Sequence, residues 1–237
     1  MGPVEIARAL CGAVAPLKFS PPVAYVYSPL EYAWKPYRAY LERYARGRAR
    51  VLLLGMNPGP FGMVQTGVPF GDVVMVRDWL GIEEPVDRPR REHPKRPVAG
   101  FACARREVSG QRLWGWARDT YGTPARFFGH FFVANYCPLA FLEVGGRNRT
   151  PDKLPRDERD ALLAHCDWAL RQMVEALGPR HVVGIGRFAA QRAAAALGKV
   201  RVSVGEVPHP SPASPAANRG WAIQMDRALE RLGIRHG

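Results

Sequence analysis

The chain has 237 residues, 47% of them hydrophobic, 10% aromatic and 23% charged, which supplies one sizeable core and excludes a disordered, collagenous or coiled-coil protein. No apolar run reaches the roughly 18 residues of a membrane span. Lys+Arg number 34 against 21 Asp+Glu, a formal net charge of +13 that suits a polyanionic partner, although a chain rich in Ala, Gly, Pro and Arg is also what a GC-rich genome encodes.

Residues 1–17 carry Glu5 and Arg8 inside an apolar stretch and lack the charged-then-apolar order of a signal peptide, so a cytoplasmic protein is expected. Apolar and aromatic residues at helical spacing predict a helix over 30–46, and Arg50-Val-Leu-Leu-Leu-Gly55 reads as a buried central strand. Glycine and proline crowd 55–71, and a helical pattern resumes over 73–80. Residues 83–112 are polar and punctuated by prolines. From 87 to 118 there are nine Lys/Arg and three Asp/Glu, which fits either a disordered insertion or a basic wall beside a binding groove. Next come a helix over 112–121, a strand over 127–135, a polar loop at 145–155 and an amphipathic helix over 157–177. A strand at 181–185, a helix at 187–197, a strand at 200–207 and a helix from about 215 to 232 complete the pattern. Strands alternating with helices predict one α/β domain over 1–237, with a central, mostly parallel four-stranded sheet flanked by helices.

The cysteines, Cys11, Cys103, Cys137 and Cys166, form no Cys-x-x-Cys pair, and the six histidines show no His-x-x-x-His spacing. Metal and cluster sites usually draw two ligands from one tight turn. No metal or cofactor is therefore expected, and the cysteines read as reduced, buried thiols.

In an open α/β sheet, ligands collect at the carboxyl ends of the strands, so the residues just after each strand carry the functional signal. The first such loop is Gly55-Met-Asn-Pro-Gly-Pro-Phe-Gly-Met-Val-Gln-Thr-Gly-Val-Pro-Phe-Gly71. Its glycines let a ligand approach the backbone closely, and its prolines stiffen it. Asn57 there fits an Asx-turn ending the strand or a polar site group. Phe61 and Phe70 are flat aromatics able to stack on a base. The second loop, Asn135-Tyr-Cys-Pro-Leu139, presents a side-chain amide with one acceptor and two donors, a match for a base edge or a simple strand terminator. The third, His209-Pro-Ser-Pro-Ala-Ser-Pro215 followed by Ala-Ala-Asn-Arg-Gly-Trp221, places a histidine in a proline-stiffened loop.

Together the three loops resemble the single-strand-selective monofunctional uracil-DNA glycosylases of the uracil-DNA glycosylase superfamily, over roughly residues 51–221. The resemblance implies a DNA repair enzyme that hydrolyses the N-glycosidic bond of uracil, and of 5-hydroxymethyluracil, and leaves an abasic site without a lyase step. It implies that Asn57 orients the hydrolytic water, that His209 hydrogen-bonds uracil O2, and that Asn135 reads the Watson–Crick edge while Phe70 stacks on the extruded base. The backbone of Gly59 and Met63 would hold a water near the 5-position. Ser211, Pro212, Ala213 and Ser214 would meet the DNA, single- or double-stranded. Family members often carry a basic wedge residue where this chain has Ala213 and Ser214. A monomer acting on DNA, with no membrane partner, is the implied state.

The chemistry of the residues agrees. Charge develops on sugar and base as the bond breaks, and a preorganised donor such as His209 stabilises the departing anion even when neutral. Asn57 is an amide and takes no proton, so it positions water. None of the three loops contains lysine, which disfavours a Schiff-base route. Extruding the base costs a few kcal/mol. A competing motif, Gly184-Ile-Gly-Arg-Phe-Ala189 with Glu206 about 20 residues on, matches a dinucleotide fingerprint, yet it lies near the end of the pattern rather than at its first strand. A non-catalytic DNA-binding module would account for the charge but not for three convergent polar loops.

Overall fold

The computed structural model describes residues 1–47, 49–214 and 217–235. In chain order, α1 (Pro3–Val14), β1 (Val23–Tyr27), α2 (Pro29–Tyr32) and α3 (Trp34–Tyr44) precede β2 (Val51–Gly55). The loop after β2 contains the single turn α4 (Met63–Thr66) and a π-helical turn at Met75–Trp79. Beyond the basic segment come α5 (Val108–Tyr121), α6 (Pro124–Phe128), β3 (Phe131–Asn135), β4 (Ala140–Glu143) and β5 (Asn148–Arg149). The remainder is α7 (Arg156–Leu177), β6 (His181–Ile185), α8 (Arg187–Leu197), β7 (Ser203–Val207) and α9 (Trp221–Arg231).

The expected sheet is present: β3-β2-β6-β7, four strands paired in parallel throughout. The chain leaves β2 for β3 on one side and later returns to β6 on the other. The topological switch therefore lies between β2 and β6, where a crevice opens outside the carboxyl ends. Every residue of β2 is buried, as a central strand covered on both faces requires. Leu52 and Leu54 share one face with Ile6 and Leu10 of α1 and Leu170 and Met173 of α7. On the other face Phe131, in register with Val51, stacks on Phe127 at 5.4 Å and meets Trp116 edge-on at 5.8 Å. Each such side chain contributes about 1.5–3 kcal/mol by leaving water.

A second sheet was not expected. Strands β1, β4 and β5 pair antiparallel, with Tyr27 opposite Ala140 and Phe141 opposite Arg149. It anchors the basic segment, which is therefore not a free insertion. His93 is fully buried; its Nε2 donates to the carbonyls of Glu143 and Val144 at 3.1 and 3.0 Å, and its Nδ1 accepts from the Lys95 N–H at 2.9 Å. Tyr27 donates to the Arg96 carbonyl, and Gln65 of α4 donates to the carbonyls of Pro60 and Pro97 while accepting from the Ala99 N–H. The polar groups of the segment are satisfied inward, and its arginines Arg88, Arg90 and Arg91 remain outside.

Several boundaries differ from expectation for local reasons. The helix over 30–46 divides at Ala33 into α2 and α3, which puts Pro36 in a first turn, where its missing N–H costs nothing. The strand over 127–135 begins only at Phe131, because Thr123 accepts from the Arg126 N–H and, with Pro124, starts α6. Helix α5 begins at Val108 rather than 112, with Glu107 at its N-cap. Strand β7 begins at Ser203 rather than 200. The last helix begins at Trp221 after a turn at Ala217–Arg219, and residues 215–216 of its expected span lie outside the described residues. The helical pattern over 73–80 is the π-helical turn, and the loop 145–155 contains β5 and a turn at Pro151–Lys153. Helix α1 was missed although its buried Ile6, Ala7, Leu10 and Val14 follow helical spacing. Of the four free cysteines only Cys137 and Cys166 are buried; Cys11 and Cys103 are half-buried.

Candidate active site

The three polar loops meet outside the carboxyl edge of the parallel sheet, around a cavity of about 390 Å³. Asn57, Gly59, Met63, Phe70, Asn135, His209 and Ser211 line it. Pro212 and Ala213 are exposed beyond its rim, and Ser214 is half-exposed.

Strands β2 and β3 deliver two of these groups together. Gly55 is in register with Asn135, and a Cβ at Gly55 would lie 2.3 Å from Asn135 Oδ1 and 2.6 Å from the Phe70 ring. Only glycine leaves that contact possible. The ladder continues past the strands, since the Tyr136 and Cys137 N–H groups donate to the carbonyls of Gly55 and Met56 at 2.9 and 2.8 Å. Asn135 Nδ2 donates to Met63 Sδ at 3.2 Å, a weak acceptor that a substrate carbonyl improves upon. Asn57 Nδ2 donates to the Leu139 carbonyl at 3.2 Å, which leaves its Oδ1 as the acceptor presented to the cavity.

Phe70 has φ of +54°, the one positive value at a non-glycine among the described residues. Such a conformation costs on the order of 1–3 kcal/mol and persists where the surroundings over-determine it. Here the Phe70 carbonyl accepts the Asp72 N–H at 2.8 Å, and the fully buried Asp72 is gripped by Arg106 through two bonds of 2.8 and 2.9 Å. Phe61 plays no comparable part: it lies under the guanidinium groups of Arg105 at 4.1 Å and Arg96 at 5.3 Å, outside the cavity lining.

His209 lies against Gly186, whose φ is +88° and where a Cβ would stand 3.2 Å from that of His209. The Ser211 N–H donates to His209 Nδ1 at 3.0 Å, so that nitrogen is unprotonated and the ring proton sits on Nε2. Burial lowers the histidine pKa, which keeps the ring neutral at neutral pH. The outcome is a neutral imidazole holding one N–H donor. Its loop is tied by Arg112, which donates to the Pro210 carbonyl at 2.8 Å and to Asn218 Oδ1 at 2.9 Å, and by Trp221, which donates to the Pro208 carbonyl at 2.8 Å. The glycines of the dinucleotide-like motif are thereby accounted for without a cofactor. Gly186 seats His209, and a Cβ at Gly184 would lie 2.1 Å from the Ala190 nitrogen, so Gly184 is the close contact of α8 on β6.

The cavity also contains Glu107, Ser109, Asn148 and Thr150, which sequence reasoning did not single out. Burial raises the Glu107 pKa, the first and largest influence on it, while the Ser109 N–H pulls the other way. The buried Oδ1 of Asn148 has no hydrogen-bond partner among the described residues. Glu107 had a signal, its place just before the α5 helical pattern. Asn148 and Thr150 had none, because the unforeseen second sheet brings them in.

A family model described as the uracil DNA glycosylase superfamily matches residues 42–232. The chain is 54% identical over 220 residues to a single-strand selective monofunctional uracil DNA glycosylase of Bos taurus, covering 92% of this chain and 81% of that protein. The Mus musculus protein of the same description is 53% identical over 220 residues, 92% of this chain and 79% of that one. A crystal structure of Pedobacter heparinus SMUG2 shares the fold with a TM-score of 0.70 at 16% identity, over 98% of this chain and 97% of that one. Identity above half across nine-tenths of the chain, on a fold whose three polar loops converge at the switch point, shows that this chain belongs to the uracil-DNA glycosylase superfamily, in its single-strand-selective monofunctional branch.

Proposed function

We propose that the protein excises uracil from DNA by hydrolysing the N-glycosidic bond, leaving an abasic site and an intact strand. The observation that carries this is the convergence of Asn57, Phe70, Asn135 and His209 on one cavity at the switch between β2 and β6. The extruded base lies on Phe70, and the Asn135 amide pairs with its N3–H and O4. As the bond to the sugar lengthens, negative charge gathers on O2, where the Nε2–H of His209 donates. A neutral donor suits this role, because its hydrogen bond strengthens as the charge appears rather than binding the ground state equally well. Asn57 Oδ1 accepts from a water and aims it at the sugar carbon without taking its proton, which passes through solvent to the departing uracil anion, so that the products are neutral uracil and the abasic sugar. Gly59 and Met63 border the 5-position, and the substrate range extends to 5-hydroxymethyluracil.

Ser211, Pro212, Ala213 and Ser214 continue from His209 onto the DNA. With no basic wedge at Ala213, the loop separates a duplex weakly, and single strands are the easier substrate. A cytoplasmic monomer acting at the nucleoid completes the reading. The test is incubation with uracil-containing oligonucleotides followed by alkali. Cleavage at the uracil position only after alkali, at full rate in EDTA, supports it. A nicked product before alkali, or loss of activity in EDTA, contradicts it.

A further inference from the structure

The amino edge of the parallel sheet, opposite the candidate active site, holds a recess of about 230 Å³ that uracil excision does not use. Nine residues line it, and five of them are basic: Arg50, His130, Arg180, His181 and Arg235. No carboxylate is among the nine; Glu230 shares residues 233–235 with it but lines the neighbouring groove. None of the three arginines takes part in an ion pair among the described residues.

The sheet itself assembles this charge. Val51 is in register with both Phe131 and His181, so Arg50, His130 and Arg180 stand in one row just before the ladders begin. The Arg180 N–H donates to the Arg50 carbonyl at 2.9 Å, and the Val51 N–H to the His130 carbonyl at 3.0 Å. Adjacent strands are about 4.8 Å apart, and like charges on neighbouring strands repel. The tail beyond α9 then brings Arg235 to the same recess. The backbone carries the ladder, so the arginine side chains support nothing there; their charge is unmet.

We propose that this recess is a binding site for a phosphate dianion, free or at the end of a nucleotide, separate from the DNA-processing cavity. Guanidinium groups match phosphate oxygens in a planar, two-point fashion, and Arg50 and Arg180 come from adjacent strands to take one anion between them. The half-buried rings of His130 and His181 each add an N–H donor, and Arg235 closes the tail side. A small anion fits the geometry better than a DNA backbone does. The recess is concave, and the five-residue strand β2 puts it about 16 Å from the carboxyl edge where substrate DNA lies.

The experiment is thermal unfolding of the full chain at pH 7.5 and constant ionic strength, titrated with inorganic phosphate or with dAMP. It compares wild type with Arg50→Gln, Arg180→Gln and the double variant, with Arg88→Gln as the control that loses a charge elsewhere. Wild type and Arg88→Gln should gain Tm with a saturable midpoint, because a ligand of the folded state stabilises it by mass action. Each single variant should raise that midpoint at least tenfold, and the double variant should lose the response. Without phosphate the variants should be no less stable than wild type, since each removes a repulsion. If the double variant does not fold, the single variants decide. A dAMP midpoint at least tenfold below that of phosphate identifies a nucleotide as the source; equal midpoints identify free phosphate. Absence of a saturable response in wild type, or midpoints unchanged within threefold in the variants, overturns the site. Loss of affinity for a uracil-free single strand in the variants, with no response to phosphate, also overturns it and makes the row a DNA-backbone contact.

Discussion

The loop after β2 and the loop after β7 border the same cavity and are built on opposite plans. In the first, every residue from 62 to 69 is buried, and backbone bonds, Gln65, Thr66 and the Asp72–Arg106 pair lock it from all sides. In the second, the chain turns outward past Pro210 and is tied by isolated side chains: Arg112 to Pro210, Asn218 to Pro212, Trp221 to Pro208. One is a preformed wall, the other a latch carrying a single donor. The difference teaches where selectivity and rate reside. On the proposed reading, shape and base identity belong to the wall, and the charge on the leaving base is met by the latch.

The largest effect should come from removing the reading group that stands beside the wall, at the end of β3. Asn135→Ala leaves uracil's N3–H and O4 facing nothing that matches, and a site built to hydrogen-bond its substrate loses on the order of 10⁴-fold when pairing fails. Single-turnover rates on uracil should fall by about that much, and the preference for uracil over cytosine should collapse. Uracil excision near the wild-type rate would make Asn135 a strand terminator only.

Next come the two groups that act on the transition state. Removing one preorganised donor costs about 10²–10³ in rate, and His209→Ala and Asn57→Ala should each lose at least that while still binding uracil-containing DNA. The two separate with 5-fluorouracil, which departs more easily as an anion. That substrate should restore His209→Ala substantially and Asn57→Ala much less, because positioning water does not depend on the acidity of the base. Equal rescue of both would merge the roles.

A smaller effect tests the latch itself. Arg112 touches the loop carbonyl rather than the base, so Arg112→Ala, which loses both of its hydrogen bonds, should lower kcat by roughly tenfold, or about 1.4 kcal/mol. Arg112→Lys should recover only part of this, since an ammonium does not reproduce the fork that spans Pro210 and Asn218. A change confined to KM, with kcat untouched, would mean that Arg112 serves DNA binding and not the placement of His209.

The wall was more legible in the sequence than its supports. Strand β2 is a continuous apolar run ending in Gly55-Met-Asn, so both the strand and the position of Asn57 follow from local pattern. The same holds for His181 to Ile185 and the turn after it. Phe61 and Phe70 looked alike in sequence, and only the tertiary arrangement separates them, with two arginines covering one and a strained backbone presenting the other. Glu107 and Asn148 reach the cavity through long-range packing of α5 and the antiparallel sheet. Strands as short as β4 and β5 leave almost no periodicity to read. The basic segment was ambiguous because its exposed arginines dominate its composition, while the few residues that anchor it, chiefly His93, carry no pattern at all.

The smallest effect concerns the stability of the wall rather than its chemistry. Glu107 sits at the start of α5, where the helix dipole and the Ser109 N–H favour an ionised carboxyl, yet burial outweighs them and its pKa is raised. A raised carboxyl pKa means that the folded chain holds this proton more tightly than the unfolded one. The associated stabilisation is full below the ordinary glutamate value and is lost as pH rises through the raised one. Once pH exceeds the raised value, the wild type contains a desolvated carboxylate that Glu107→Gln does not. The Gln amide oxygen still accepts from Ser109, so the cap is retained. Thermal unfolding from pH 4 to pH 8 should show the Tm of Glu107→Gln gaining on wild type as pH rises, then levelling once Glu107 is fully ionised. A Tm difference independent of pH would show that the carboxyl is well solvated in the folded protein, and that the wall is closed by shape alone.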